Sequence, residues 1–322
     1  MAETKRKDWV DILRALAMVL VVYGHQVQVW NEFFIFTSPI KIPLFFAISG
    51  YLFSTKGGDF KRFLYGWFRK LVVPYVALVT IPALFCIPVY GFDSFVHTLQ
   101  GMFSGNSYWF MPCLILGELL FYAILHYGRT ILVQSFIVIS CFITGSMLFR
   151  YHLLAYGTMN IMLTVQVFLY IGHLYRIYEN KLPISRGAAI LSALSYVLLC
   201  TISRWLFPDQ SIDPHLVSYY NYPLCFFAIN IGLIAVTIIA RCVRSYPKWV
   251  VLIGQHTLLM YLWAGYALSF FRLFEKITRI RFFDYRIEAL FETIWVTLFC
   301  VTLSIILNKY CYYIFGKTKE QV

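Results

Sequence analysis

Residues 130–149 read TILVQSFIVISCFITGSMLF, twenty residues without a charged side chain. The hydrocarbon core of a bilayer is about 30 Å thick, and a helix needs about 20 apolar residues to cross it. The strict alternation of a transmembrane strand is absent. Because backbone groups cannot stay unpaired in lipid, this stretch predicts a membrane-spanning helix.

The rest of the chain has the same character. Of its 322 residues, 60% are hydrophobic and 13% are charged, and the mean hydropathy is +0.71. Soluble domains carry roughly 25% charged residues, so lipid must surround much of this protein. We therefore predict an all-α integral membrane protein, a bundle of about ten transmembrane helices. The predicted spans are 10–30, 40–54 (or from about 34), 71–90, 108–126, 130–149, 155–175, 187–206, 219–240, 249–271 and 289–310.

The basic residues fall unevenly on the two sides of this bundle. With a cytoplasmic N-terminus, most of the 27 Lys and Arg residues are cytoplasmic, as the positive-inside rule requires. Lys41, Arg150, Arg204 and the charged segment 272–288 remain outside. That segment is open to two interpretations, an interfacial loop or a surface for an anionic acceptor. The segments 91–107, 207–218 and 272–288 are expected to be outward-facing loops.

This distribution also bounds the location and the partners of the protein. We expect both termini in the cytoplasm, an inner or plasma membrane location, and one membrane-embedded domain over 1–322 without a soluble domain. The excess of basic residues on the cytoplasmic side explains the net charge of +12 without a nucleic-acid partner. The eight cysteines stand singly in apolar surroundings, so neither a disulfide framework nor a metal site is predicted.

Two ionisable residues share one face of the first predicted helix. Arg14 and His25 are eleven residues apart, which is 1100° of rotation, or 20° past three turns, and about 16 Å of rise. Charged and ionisable residues inside a span are costly and often functional. Two interpretations are open: a functional stripe, or an Arg14 that reaches phosphate headgroups beside a His25 bonded to a neighbouring helix.

A second group of candidates follows the second span. Ser49 and Gly50 are small residues that allow close helix packing. A basic cytoplasmic loop is expected next, over 55–70, and it carries Lys56, Lys61, Arg62, Arg69 and Lys70. It predicts either headgroup anchoring or a phosphate site, since Arg and Lys are the residues that bind phosphate.

Further candidates lie on the fourth and ninth predicted spans. Tyr108 and Trp109 are placed at the outer interface, where such residues are common. Glu118 lies about ten residues deeper, near the depth assigned to His25, which makes that histidine its predicted partner. Gln255 and His256 are placed at the level of Arg14. The mid-span residues Gln166 and Asn230 are expected to bridge helices.

These motifs together resemble acyltransferase family 3, integral-membrane O-acyltransferases. Arg14-x10-His25 is similar to the family's first-helix signature, and residues 45–52, FFAISGYL, match its FFxxSGYL motif. The Arg69-Lys70-x3-Pro74-Tyr75 segment and the Trp109-Phe110 pair stand in the family's order. The short chain is most similar to the fucose 4-O-acetylase-like branch. The ninth-helix motif begins at Gly254 and keeps Thr257 and Tyr261. It departs from the family pattern at one position, because Ala264 stands where a histidine often closes the motif, and His256 does not replace it.

The resemblance implies an acyl-CoA donor, usually acetyl-CoA, and a glycan or glycolipid hydroxyl as acceptor. It implies His25 as base or acyl carrier. Glu118 would then orient His25 or hold a second proton. Arg14, Arg69, Lys70 and Ser49 would bind the cofactor, and Tyr108 and Trp109 would face the sugar. A transporter or flippase for lipid-linked sugars is the alternative, although neither the internal symmetry nor the interrupted helices typical of transporters are evident.

Overall fold

The computed structural model describes residues 7–26, 32–151, 158–182, 184–207, 222–279 and 284–317. All regular structure within these ranges is helical. A 3₁₀ turn covers Lys56–Gly58, another covers Tyr312–Phe315, and a π-helical segment covers Phe68–Val72. The α-helices are α1 (Asp8–Gln26), α2 (Glu32–Leu52), α3 (Phe60–Trp67), α4 (Val73–Phe85), α5 (Ile87–Ser104), α6 (Phe110–Tyr127), α7 (Ile131–Arg150), α8 (Met159–Thr164), α9 (Gln166–Tyr178), α10 (Arg186–Leu206), α11 (Tyr222–Cys242), α12 (Lys248–Gln255), α13 (Thr257–Thr278) and α14 (Tyr285–Tyr310).

Helical segments of membrane-spanning length recur along the described chain. Nine of them are long and apolar enough to cross a bilayer, and they correspond to nine of the ten predicted spans. The predicted all-α integral membrane fold is therefore confirmed. They are Phe34–Leu52, Phe60–Phe85, Phe110–Tyr127, Ile131–Arg150, Met159–Tyr178, Arg186–Leu206, Leu224–Cys242, Thr257–Thr278 and Tyr285–Tyr310.

The outward faces of these helices suit lipid. On α7, Leu132 and Phe136 are exposed, and on α10, Leu191 and Leu194 are exposed, each by more than half of its side chain surface. Rows of large exposed apolar residues are unstable in water, whereas lipid chains cover them without cost. The multi-pass protein therefore lies in a bilayer.

Two contacts made by residues at the start of α1 support this helix as a tenth membrane crossing. Lys7 forms a 2.8 Å ion pair with Glu179, and the Arg241 guanidinium lies 5.8 Å from the Trp9 ring. Five of the nine candidate spans separate Lys7 from Glu179. An even number of crossings keeps these two residues on the same face of the membrane, and α1, an apolar helix of 19 residues, is long enough to be the sixth. These contacts also join segments that the charge distribution assigned to one side.

Three sequence predictions of local structure were wrong. The segments 91–107 and 272–288 were expected to be loops, but the first is helical as far as Ser104 within α5, and the second is helical up to Thr278 in α13 and again from Tyr285 in α14. The basic stretch expected to be a loop from residue 55 is helical from Phe60 onward. The reason in this last case is amphipathic packing, because Phe63 is buried and stacks 4.3 Å from the Tyr122 ring while its charged neighbours stay exposed. The expected loop 207–218 lies outside the described residues from 208 onward.

The described chain forms two compact units. Among the described residues, the first comprises 7–26, 32–48, 178–182, 184–207, 222–279 and 284–305, and the second comprises 49–151, 158–177 and 306–317. In the first unit, α1 packs against α11, α12 and α13. Its core includes Met18, Val22, Met260, Val296 and Cys300, all buried.

The second unit is built around α4 to α9. The Tyr75 hydroxyl donates a 2.9 Å hydrogen bond to the Met102 carbonyl, which joins α4 to α5. The Gln166 side-chain amide donates to the Gly117 carbonyl at 3.2 Å, so this residue bridges α9 and α6 as predicted. Asn230, in the first unit, instead donates to the Phe226 carbonyl of its own helix.

Candidate functional site

The first candidate stripe lies on an uninterrupted α-helix. Because α1 runs continuously from Asp8 to Gln26, Arg14 and His25 leave the same face about 16 Å apart along the axis. His25 is in the last turn of α1 and is exposed. The Arg14 side chain is 31% exposed, and its guanidinium lies 3.7 Å from the carboxylate of Asp11, which is only 2% exposed. The shared face that the sequence predicted is confirmed.

A glycine fixes the position of that stripe. A Cβ added at Gly254 of α12 would lie 1.9 Å from the Asp11 carbonyl oxygen, so only glycine permits this contact. The contact lies one turn before Arg14, which agrees with the predicted level of the Gln255–His256 pair. The Gly254 position in the family motif therefore has a physical reason, which is direct backbone contact between α12 and α1.

His256 and Ala264 differ in their surroundings. His256 is the single residue between α12 and α13, and its Nδ1 lies 2.8 Å from the Ser304 hydroxyl of α14. Ala264, where the resemblance would place a histidine, packs against the apolar core of the first unit. This position contributes to packing.

In the second unit, Arg69 and Lys70 lie on the π-helical segment. Such segments often occur at functional sites, because the extra residue changes the direction of the side chains. Arg69 Nη1 donates to the Tyr65 hydroxyl at 3.2 Å, and the Trp67 indole donates to the Ile115 carbonyl at 3.1 Å. The segment is thereby held against α6 and keeps its two cations at the helix surface.

Lys56 lies close enough to Lys70 and Arg62 for the charges of both to act on it. The pKa of Lys56 is lowered, first by partial burial and then by the charges of Lys70 and Arg62. Lys56 also has a left-handed backbone, with φ 54°, in front of two glycines that are left-handed as well. Mutual repulsion of this kind is relieved by an anion, so the arrangement is suited to phosphate.

The segment Gly316–Lys317, which follows α14, packs directly on the backbone of Arg69. Gly316 has φ 65°, and a Cβ there would lie 2.0 Å from the Arg69 carbonyl oxygen. The Lys317 ammonium donates to the Asn308 side-chain oxygen at 2.6 Å, which ties the segment to the end of α14. The segment Gly316–Lys317 therefore supports the backbone of Arg69.

Ser49 and Gly50 lie where α2 meets α9. A Cβ at Gly50 would lie 1.8 Å from the Leu169 carbonyl oxygen. The predicted close packing is confirmed at Gly50. Ser49 is half-buried beside it, and its role in cofactor binding stays a prediction.

Tyr108 and Trp109 lie at the start of α6 and are both half-buried. Tyr108 has φ 57°, a strained conformation for a bulky residue, and such strain is common at functional sites. The preceding Ser107 N–H donates to the Gly101 carbonyl at 3.1 Å, next to the Met102 carbonyl that accepts from the Tyr75 hydroxyl of α4. Tyr75 and Tyr108, which belong to separate sequence motifs, thus lie near each other in the second unit.

Glu118 lies deep in the protein and yet keeps part of its side chain accessible. The π-helical segment that carries Lys70 packs against α6, the helix that carries Glu118. The structure therefore brings together Glu118 and a cation of the π-helical segment. Its predicted partnership with His25 stays a prediction.

These motifs recur in a known family. The family model described as an acyltransferase domain, acyltransferase family 3, matches residues 7–309. The chain belongs to acyltransferase family 3. None of the curated proteins and none of the solved structures matches it.

Membership in acyltransferase family 3 makes the chain a membrane acyltransferase that uses an acyl donor. Within the described ranges, no three His, Cys, Asp or Glu residues are grouped to hold a metal ion. The family match covers both compact units, so it applies to the α1 stripe and the π-helical segment alike.

Among the ionisable residues inside the spans of this acyltransferase, sequence reasoning missed Lys41. Lys41 was assigned to the outer side because the second span was placed at 40–54. The structure places Lys41 well inside α2, within the candidate span Phe34–Leu52. The cost of a charge inside a span was the signal available, and the uncertain helix start hid it.

Proposed function

We propose that the protein transfers an acetyl group from cytoplasmic acetyl-CoA to a hydroxyl of a cell-surface or lipid-linked glycan. The reaction would take place in the inner or plasma membrane, and the protein would belong to the fucose 4-O-acetylase-like branch. The single observation that carries this proposal is the Arg14–His25 stripe on α1, within a chain that belongs to acyltransferase family 3.

His25 is proposed to act on the acceptor hydroxyl, because histidine is the side chain best suited to exchange protons near neutral pH. Its imidazole accepts the hydroxyl proton while the hydroxyl oxygen bonds to the thioester carbon, and the carbonyl oxygen becomes an oxyanion. The oxyanion then returns its electron pair, the C–S bond breaks, and the leaving thiolate takes the proton from the imidazolium.

A second route through His25 gives the same products. The imidazole nitrogen attacks the thioester carbon, and the CoA thiolate leaves with the imidazole N–H proton. The acetyl group then passes to the hydroxyl, whose proton returns to the imidazole. An oxyanion forms on the same carbonyl oxygen in both routes.

The cations are proposed to bind the phosphates of CoA. Arg14 is available for this role because its guanidinium remains partly exposed although it is paired with Asp11. Arg69 and Lys70 add charge from the π-helical segment, where the repulsion among neighbouring cations favours an anion. The placement of Ser49 next to the tightly packed Gly50 suits a contact with the cofactor arm.

The remaining predicted residues are proposed to serve the acceptor and the proton transfer. Tyr108 and Trp109 present aromatic surface, and the Tyr108 backbone is held in a strained conformation. Glu118 is proposed to orient His25 or to hold a proton during the transfer. Its depth and partial accessibility are properties of a carboxyl group that handles protons.

Acetyl transfer by inside-out vesicles tests the proposal. Radiolabelled acetyl-CoA is added, and incorporation of label into vesicle glycans is measured. We expect incorporation by the unchanged protein and none by His25→Ala at equal membrane level. His97→Ala is the matched control, since His97 is exposed on α5 and has no proposed role. Full activity of His25→Ala would remove the catalytic assignment, and mass spectrometry of the labelled glycans would identify the acceptor.

A further inference from the structure

We propose that Lys41 is a further catalytic residue, whose ammonium stabilises the oxyanion formed on the thioester carbonyl. The inference rests on the proposed acetyl transfer and deepens it. It starts from the position of Lys41 within a membrane-spanning helix, nine residues before Gly50 and between two prolines of α2, Pro39 and Pro43. A charged side chain at such a position is costly and therefore needs a reason.

The Lys41 ammonium reaches the end of α1. A Cβ added at Gly24 would lie 3.0 Å from Lys41 Nζ, so the missing side chain of Gly24 leaves room for the ammonium. Gly24 immediately precedes His25. Successive residues of a helix are 100° apart, so the ammonium lies on the flank of the face that carries Arg14 and His25.

The surroundings hold this cation without burying it completely. Lys41 Nζ lies 4.3 Å from the centroid of the Phe34 ring, a cation–π contact of the kind that stabilises an ammonium away from water. Lys41 itself is half-buried. A charge that is fixed in place and partly shielded from water acts more strongly on a neighbouring charge than a solvated one does.

Acyl transfer needs such a group near the histidine. Negative charge develops on the thioester carbonyl oxygen as the new bond forms, and a positioned cation lowers the energy of that state. The requirement is the same whether His25 acts as base or carries the acetyl group, because the same oxygen becomes negative. Lys41 is the cation that the structure places beside the last turn of α1.

The test compares three variants in inside-out vesicles, with acetyl-CoA as donor and the native vesicle glycans as acceptor. Lys41→Met keeps the length of the side chain and removes its charge. Loss of one oxyanion-stabilising donor costs about 10²–10³-fold in kcat, and we expect a decrease of this size with an unchanged KM for acetyl-CoA. Lys41→Arg keeps the charge and should retain more activity than Lys41→Met.

Gly24→Ala provides a second measurement that leaves the charge in place. The added methyl group would meet Nζ at 3.0 Å and displace it by a few tenths of an ångström. We expect a partial decrease in kcat. The matched control is Gly265→Ala on α13, where an added Cβ has no atom within 4 Å, and it should keep full activity.

The outcomes separate this proposal from the one on which it rests. If the unchanged protein transfers no label from acetyl-CoA, the proposed function fails, and the Lys41 role fails with it. If the unchanged protein is active and Lys41→Met keeps its kcat, the Lys41 role alone is overturned. A raised KM for the acceptor with an unchanged kcat would also overturn it, because Lys41 would then bind the acceptor. If Lys41→Met is not present in the membrane at the level of the unchanged protein, the comparison is made with Lys41→Arg and Gly24→Ala instead. Full kcat in Gly24→Ala would contradict the proposal.

Discussion

The contact between Gly254 and the Asp11 carbonyl makes a specific prediction about Gly254→Ala. In an isolated helix this change is favourable by roughly 0.5–1 kcal/mol, because alanine loses less chain entropy than glycine. Here the added Cβ would lie 1.9 Å from a backbone oxygen, and backbone cannot move aside as a flexible side chain does. The unfavourable contact should therefore outweigh the favourable propensity.

The size of the required movement follows from the same contact. The separation must grow from 1.9 Å to at least 3.4 Å, so α1 and α12 must move apart by about 1.5 Å. Overpacking of this kind costs about 1–3 kcal/mol. Because α1 carries Arg14 and His25, the movement also displaces the proposed catalytic groups. A misplacement of about 1 Å costs on the order of 10²-fold in rate.

We therefore expect Gly254→Ala to lower acetyl transfer by about ten- to a hundred-fold and to lower the unfolding temperature in detergent. Label incorporation at saturating acetyl-CoA and thermal unfolding of the purified protein are the two measurements. Gly265→Ala is the control for helix propensity, as its added Cβ meets no atom within 4 Å. If Gly254→Ala matches this control in both activity and unfolding temperature, the argument that α12 fixes α1 is wrong.

Three further predictions concern the proposed cofactor and proton roles. Arg14→Gln should raise KM for acetyl-CoA at least tenfold, whereas Asp11→Asn should change KM much less; equal effects would reduce Arg14 to a structural partner of Asp11. Gly316→Ala should raise KM for acetyl-CoA by displacing the Arg69 backbone, whereas Gly91→Ala, which shares a left-handed φ but has open space, should not. Glu118→Gln should lower kcat and alter its pH profile, and unchanged turnover across pH would assign Glu118 to packing.

Much of the fold was accessible from the sequence because lipid restricts the choices. Long uncharged stretches such as 130–149 can only be helices in a bilayer, and the uneven distribution of basic residues groups the loops by side. The contacts of Lys7 with Glu179 and of Trp9 with Arg241 agree with that grouping. The shared face of Arg14 and His25 also followed from sequence, since it depends only on helical rotation.

Only the tertiary structure decided which residues meet. The distance from Lys41 to Gly24, the backbone contacts of Gly50, Gly254 and Gly316, and the position of Lys70 near Glu118 join residues far apart in the chain. Hydropathy cannot predict them, because it records how apolar a helix is and not which neighbour each of its faces packs against. The starts of two helices give a further example. Of the two starts that the sequence left open for the second span, 40 and about 34, the structure supports the earlier one, because the candidate span is Phe34–Leu52. α3 continues into a span because the packing of Phe63 on Tyr122, and not hydropathy, decides where this helix begins.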